Sequence, residues 1–582
     1  MGLATRLGLN IIAFWRMEKV FWILFSISVA LGSCGSLRYL TGVSVLFSTS
    51  AAALSALFTY LLGRRISRGS LMDSKSVALW MILGAVWLSL LLVLIGSKGR
   101  TGLYTLNSQD VASHLAFMGG FIYKSGDAYH GFVSLYGLVG AMVRGLNVHI
   151  VDALAVSIYS TLAVGLLMIG LVTVVALRSG GNRSIEIGVG LLAASAALLL
   201  IDIPIIFYKI GEGFWAHITS IIVLAGLWAG YTVVSAPFAR ISIAVGSIAL
   251  YRFAYGLNLG DLVATTAILT LIESKHLGRL RFATMGGAAA LLLTSILCYQ
   301  KLLPLGEMNG GIIPIDIQGS LFYSAILLFG IVGALFIART SGRSSESIRF
   351  LLFPVLFCSV SMLAEFAYHQ AGLPERYYSY KYGVHRVILL SFAGAVAFTW
   401  IAFNVVRNVR TSRITVLLST TLAGIVLAGS AGLYGTYKHY GLGLGPFLVS
   451  PRKSFPDPLF SDQLAGTIQT VLAREGKSYH GTLARTWGGI MFLNGFMLHK
   501  EHGEGTKEIA ENMTMQGLPP PPPNSCVFWI RSGLFRTQPP LPLPELTRSI
   551  NNFEARSDKV CIRKKDHVGK TYALCYVCGQ AA

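Results

Sequence analysis

Apolar residues run along most of this chain in long unbroken blocks, not in the alternation of a half-buried sheet. Leu83 to Ile95 (LGAVWLSLLLVLI) and Ile187 to Ile201 are typical. Each extends toward the roughly 20 residues that a helix needs to cross bilayer hydrocarbon. On this criterion the sequence predicts about thirteen spans, near 20–37, 39–63, 77–96, 150–177, 185–208, 214–236, 241–256, 258–273, 282–301, 319–338, 349–369, 384–406 and 413–434. The seventh and eighth are short. No signal-peptide cleavage site is seen, so the first span is expected to stay in the membrane. The expected fold class is a mainly α, polytopic membrane protein of about thirteen transmembrane helices.

The pattern changes near residue 436. Long apolar blocks stop, and charge and proline rise. Residues 1–435 read as the transmembrane domain, with a long loop at 97–149, and 436–582 read as a small soluble α+β domain. Ser461 is placed to cap a helix over LAGTIQTVLAR, because its hydroxyl can accept a bond from an early N–H. Pro519–Pro523 form a stiff polyproline run. CVFWI (526–530), KVCIR (559–563) and YALCYVC (572–578) have strand composition. No internal repeat of 20–50 residues is visible.

Charge then fixes an expected orientation. Lys and Arg number 47 against 26 Asp and Glu, a net charge of +21. So basic a chain raises the idea of nucleic acid, but much of the charge lies in short connections between spans, which is a topology signal. Arg6, Arg16 and Lys19 precede the first span; Arg64, Arg65 and Arg68 follow the second; Arg178 and Arg183 the fourth; Arg240 the sixth. Lys275, Arg279 and Arg281 follow the eighth, Arg339, Arg343 and Arg349 the tenth, and Arg407, Arg410 and Arg413 the twelfth. All fall on one side when the N-terminus is cytoplasmic. The loop 97–149 and everything after Tyr434 are then extracytoplasmic, and the host membrane is a plasma (inner) membrane.

Cysteines divide along the same line. Cys34, Cys298 and Cys358 lie in spans and read as packing residues. Cys526, Cys561, Cys575 and Cys578 lie in the exported part, where two disulfides compete with a zinc site of Cys-x-x-Cys spacing. Export to an oxidising space favours disulfides. Asn512-Met-Thr514 is a glycosylation sequon, useful only in a host that modifies exported chains.

Candidate chemistry concentrates in the loop. Ser108 to Gly131 (SQDVASHLAFMGGFIYKSGDAYHG) is dense in polar groups beside membrane spans. Val111, Leu115, Met118 and Ile122 recur at helical spacing, which predicts an amphipathic helix on the membrane surface. Asp110 and His114, four apart, share a face of it. Asp110 is either a solvated or capping residue, or a carboxylate over a cavity. In the second case it can take a proton from an acceptor hydroxyl or help hold a divalent metal; no metal is specifically indicated, and the cofactor stays unknown.

A long early external loop bearing Asp110, then His114, a glycine turn and aromatic residues resembles the GT-C superfamily of membrane glycosyltransferases. The layout of about thirteen spans followed by an exported domain is similar to arabinofuranosyltransferases and oligosaccharyltransferase catalytic subunits. The Trp-Trp-Asp-Tyr-Gly motif of the latter has no counterpart here. The resemblance implies a sugar donor on a polyprenyl phosphate, an active-site carboxylate at Asp110, and a glycan, lipid or protein acceptor. Nucleic acid is not an expected partner; membrane lipid is.

Such a donor needs cations at the outer face. Pro374 to Arg386 (PERYYSYKYGVHR) supplies Arg376, Lys381, His385 and Arg386 among tyrosines, and Arg and Lys can bond phosphate oxygens. The alternative is an ordinary interfacial belt. FYKIGEGFWAH (207–217) adds Lys209, Glu212, Trp215 and His217, and YRFAYGLNLGD (251–261) adds Arg252. An Arg near hydrocarbon is seldom idle, although it can snorkel. Asp202 and Glu365 are expected to pair with such cations structurally. The leading expectation is thus an inverting glycosyltransferase with Asp110 as base, and His114, Lys209, Glu212, Arg252, Arg376, Lys381, His385 and Arg386 as substrate ligands. The rival readings are a polysaccharide polymerase or ligase of the O-antigen type, and a transporter or flippase.

Overall fold

The computed structural model describes residues 2–66, 118, 121–122, 132–148, 150–177, 191, 193, 215–302, 349–370, 385–386, 388–390, 392–397, 399, 458–483, 520–531, 544–565 and 571–580. Over these the protein is mainly helical, with a small C-terminal sheet. The helices are α1 (Gly2–Ser33), α2 (Ser36–Thr41), α3 (Val45–Ile66), α4 (Val133–Leu146), α5 (Ile150–Leu177), α6 (Trp215–Val233), α7 (Pro237–Ala254), α8 (Leu259–Ser274), α9 (Arg281–Leu302) and α10 (Leu352–Gln370). A further apolar helical stretch runs over Ile388–Ala397.

Five stretches are long and apolar enough to cross a membrane: Glu18–Thr41, Val45–Arg65, Val156–Ala176, Gly278–Gln300 and Arg349–Ala367. Each coincides with an expected span. The sixth, seventh and eighth expected spans are helices of 19, 18 and 16 residues, α6 to α8, at the lower end of the crossing length. The expected spans 77–96, 185–208, 319–338 and 413–434 lie outside the described residues, apart from helical Leu191 and Ala193.

Helix α5 is the hub, buried along most of its length and packed on α1, α4 and α6. Helices α3 and α9 are the reverse. Leu54, Leu57, Phe58 and Leu61 of α3, and Phe282, Leu293 and Leu297 of α9, are exposed. Apolar surface this continuous is rare on soluble monomers, and hydrocarbon would cover it.

The loop 97–149 is more structured than its polarity predicts. It contains α4, a 14-residue helix with Val133, Leu135, Tyr136 and Val139 buried. That length suits a core helix better than a span. Met118, Phe121 and Ile122 are also helical and buried. Phe121 lies 6.1 Å from the Tyr136 ring, and its carbonyl accepts a 2.6 Å bond from Arg38 Nε. Protein, not a lipid surface, therefore covers these three side chains. The docking depends on missing side chains. A Cβ on Gly137 would lie 2.3 Å from Gly35 N, and Gly35 itself has φ +82°, so α4 meets the α1–α2 corner backbone to backbone.

The C-terminal residues form a mixed sheet of β1 (Ser478–Leu483), β2 (Ser525–Ile530), β3 (Val560–Lys565) and β4 (Thr571–Cys578), in the order β1-β2-β4-β3. Strands β1 and β2 are parallel, and the other pairs antiparallel. Trp529 faces Cys575, and Phe528 faces Tyr576, so by strand alternation Trp529 and Tyr576 point to opposite faces. Trp529 stacks on Phe553 of α12 (Pro544–Ala555). The Tyr576 hydroxyl meets Arg474 and Glu475 at the end of α11 (Pro458–Glu475). One helix thus covers each face. The bonds from Arg474 and then Tyr576 hold the Glu475 carboxyl below its ordinary range.

Three strands stand where composition predicts them; β1 and α12 were not expected. The α11 start differs from expectation as well. The helix begins at Pro458, whose fixed φ suits a first turn, so Ser461 lies inside the helix and is not its cap. The cysteines pair as Cys526–Cys578 and Cys561–Cys575. The spacing of Cys575 and Cys578 sends their side chains to opposite faces of β4, where each meets a cysteine across the ladder on a different neighbour, β3 or β2. The close spacing that resembles a zinc motif therefore serves two separate bridges.

Candidate functional site

Two polar clusters sit at opposite ends of the same helices. One joins the end of α6, the start of α7, the end of α8 and the short turn that leads into α10. There Glu273 Oε1 lies 2.6 Å from both Arg240 and Arg349 and accepts a 2.8 Å bond from the Tyr231 hydroxyl. Both guanidinium groups also lie over the Tyr231 ring, at 5.8 and 5.2 Å. Arg240 also donates to the carbonyls of Val234 and Ser235. This cluster ties four elements through one carboxylate oxygen.

The other cluster joins the start of α6, the end of α7, the start of α8, the end of α9 and the helical residues from 385. Its centre is His385, fully buried. Ser220 Oγ lies 2.5 Å from His385 Nε2. His385 Nδ1 lies 2.9 Å from Asn258 Oδ1. Asn258 Nδ2 donates to Asp261 Oδ2 at 3.0 Å, and the Tyr299 hydroxyl donates to Asp261 Oδ1 at 2.7 Å. Five side chains are thus linked in series, and Ser220, His385, Asn258 and Asp261 are all buried.

Local sequence explains the placement. Asn258 stands at the N-cap position of α8, yet makes no side-chain cap bond. Its amide is turned instead to Asp261 and His385. Asp261 lies in the first turn of α8, where the helix dipole favours a negative charge. Aromatic rings wall the imidazole. His217 stacks on it with centroids 4.9 Å apart, Tyr255 lies at 5.3 Å and Tyr251 at 5.8 Å. The Tyr251 hydroxyl is buried with no hydrogen-bond partner among the described residues. A carboxylate, two imidazoles and three phenols inside an apolar bundle can bind, store or pass a proton, or orient a polar ligand.

Of the residues expected to be the base or the substrate ligands, Arg252, His385 and Arg386 are described, and all three stand at this end, as does His217. Arg252 is exposed in the last turn of α7. Arg386 is ion-paired with Glu365 at 2.5 Å, the structural pairing expected for that carboxylate. Asp110, His114, Lys209, Glu212, Arg376 and Lys381 lie outside the described residues. Sequence reasoning did not single out Ser220, Asn258, Asp261 or Tyr299. A signal for two of them was present: Asn-x-x-Asp just ahead of an apolar run has the spacing of a helix start. Ser220 and Tyr299 carry no such signal. Among the described residues no group of three or more His, Cys, Asp or Glu side chains is gathered to hold a metal ion. No family model matches the chain, and no curated protein matches it.

Proposed function

We propose that the protein is an integral-membrane glycosyltransferase of the GT-C type, moving a sugar from a polyprenyl-phosphate donor to an extracytoplasmic glycan, lipid or protein acceptor. The observation that carries this reading is the gathering of His217, Arg252, His385 and Arg386, from distant parts of the sequence, at one end of the bundle. That end is opposite the Arg240–Glu273–Arg349 end, as expected if the first faces outward and the second the cytoplasm. In this reading Arg252, together with Lys209, Arg376 and Lys381 outside the described residues, supplies cations for the donor phosphate. Arg386 is already neutralised by Glu365 and contributes less.

In this reading Asp110 removes the acceptor hydroxyl proton while that oxygen attacks the anomeric carbon. The bond to the phosphate oxygen breaks, its electron pair stays on polyprenyl phosphate, and the anomeric configuration inverts. His114 orients Asp110 or the acceptor, and cations stabilise the charge developing on the leaving group. The test is release of polyprenyl phosphate from a panel of radiolabelled polyprenyl-phosphate sugars by purified protein and by Asp110→Asn. Release by wild type, reduced at least about 100-fold in the variant, supports the reading. Undiminished release by the variant removes Asp110 from its role.

The buried Asp261 and His385 favour one second reading, a proton-coupled transporter, because intramembrane carboxylates and imidazoles form such relays. Flux of a polyprenyl-linked sugar into proteoliposomes without any change in its covalent structure would rank that reading first.

A further inference from the structure

We infer that His385 is a proton-binding site, which takes up a proton at Nε2 while the Ser220 hydroxyl turns from the imidazole to the His217 carbonyl. The inference stands apart from the transfer reaction and holds for a transporter equally.

It follows from hydrogen-bond accounting. Asn258 is held one way round. Its Nδ2 faces the Asp261 carboxylate, and a flipped amide would set oxygen against oxygen. Asn258 Oδ1 therefore faces His385 Nδ1, and a carbonyl oxygen only accepts, so Nδ1 carries hydrogen. The state of Nε2 then rests on Ser220. Its Oγ lies 2.5 Å from Nε2 and 2.8 Å from the His217 carbonyl, three residues back on the same helix. A hydroxyl has one proton. When that proton points to Nε2, the imidazole is neutral. When it points to the His217 carbonyl, Oγ offers a lone pair, Nε2 must donate, and the ring is an imidazolium. Both states satisfy every group within the same heavy-atom geometry.

The uptake balances simply. A solvent proton bonds to Nε2, no other bond breaks, and the Ser220 O–H rotates. The new charge is answered by Asp261, one amide away, whose two oxygens are held by Asn258 and Tyr299. Among the described residues, the titratable rings against the imidazole are His217 on α6 and Tyr251 and Tyr255 at the end of α7, and the elements beside it also carry Arg252 on α7 and Cys358 and Glu365 on α10. Glu365 is taken up by Arg386. Asp261 is therefore the carboxylate hydrogen-bonded into the chain that ends on the imidazole.

The experiment is a titration of the full-length protein in lipid nanodiscs, labelled with 15N-histidine, between about pH 5 and 8. Of the 12 histidines, one is expected to pass from an Nδ1–H tautomer at high pH to a form with both ring nitrogens protonated at low pH. That signal should be absent in His385→Gln. Asp261→Asn removes the counter-charge, so its midpoint should move down by about one pH unit. If the histidine signal lost in His385→Gln keeps a single protonated ring nitrogen at every pH between about 5 and 8 in wild type, the inference is overturned. If His385→Gln does not fold, the Asp261→Asn titration decides. A histidine midpoint that moves down supports the site, and none that moves overturns it.

Discussion

At the level of single residues, the two polar ends answer the same problem differently. Charge inside an apolar bundle is costly unless paired. Glu273 pairs directly, with two arginines and a phenol on one oxygen. Removing only its charge, in Glu273→Gln, leaves buried Arg240 uncompensated and is expected to cost about 3–5 kcal/mol. Arg349 is partly exposed, so Arg349→Ala should cost less. Denaturation in detergent micelles checks both, and equal losses would contradict this division. The residues of this cluster were partly legible. Arg240 and Arg349 were marked by their place after apolar blocks. Glu273 and Tyr231 were not, because which carboxylate meets them depends on how α6, α7 and α8 pack. His385 and Arg386 were legible as cations of the tyrosine-rich stretch Pro374 to Arg386, whereas Ser220 has no sequence signature that separates it from any helical serine.

At the level of elements, packing turns on close approach. Gly137 faces the backbone of Cys34 and Gly35, and a Cβ there would lie within 2.5 Å of three of their atoms. Gly246, exposed in the middle of α7, has nothing within 4 Å of such a Cβ. Gly246→Ala is therefore expected to stabilise by about 0.5–1 kcal/mol through helix propensity. Gly137→Ala should destabilise by a few kcal/mol, since α4 must move away from the α1–α2 corner. Thermal unfolding of the two variants checks the pair, and a neutral Gly137→Ala would show that α4 does not dock there. The helices were legible because a long apolar run admits little else in hydrocarbon. Helix α4 was less so: its 14 residues are apolar but too short for a span, and they follow the polar stretch Ser108 to Gly131. Strand β1 (SYHGTL) carries a glycine and few β-branched residues, and its parallel pairing to β2 is set across a long separation in sequence.

For the whole molecule, the ends of the bundle make the orientation testable. Lys275 after α8 and Arg252 at the end of α7 are both exposed and belong to opposite ends. In a background without the membrane cysteines, Arg252→Cys is expected to react with an impermeant thiol reagent added outside sealed cells. Lys275→Cys should react only after the cells are opened. Labelling of both from one side would refute the proposed topology.

The sequence by itself determined that the chain is helical and apolar enough for a membrane, that its basic connections alternate, and that strands and paired cysteines lie near the C-terminus. Those properties are local: they depend on run length, period and composition. Only the tertiary structure decided that Asn258, Asp261, Ser220, Tyr299 and His385 form one hydrogen-bonded chain, and which cysteine joins which. These contacts span up to 165 residues. Helix packing and strand register, which no short stretch of sequence encodes, bring them together.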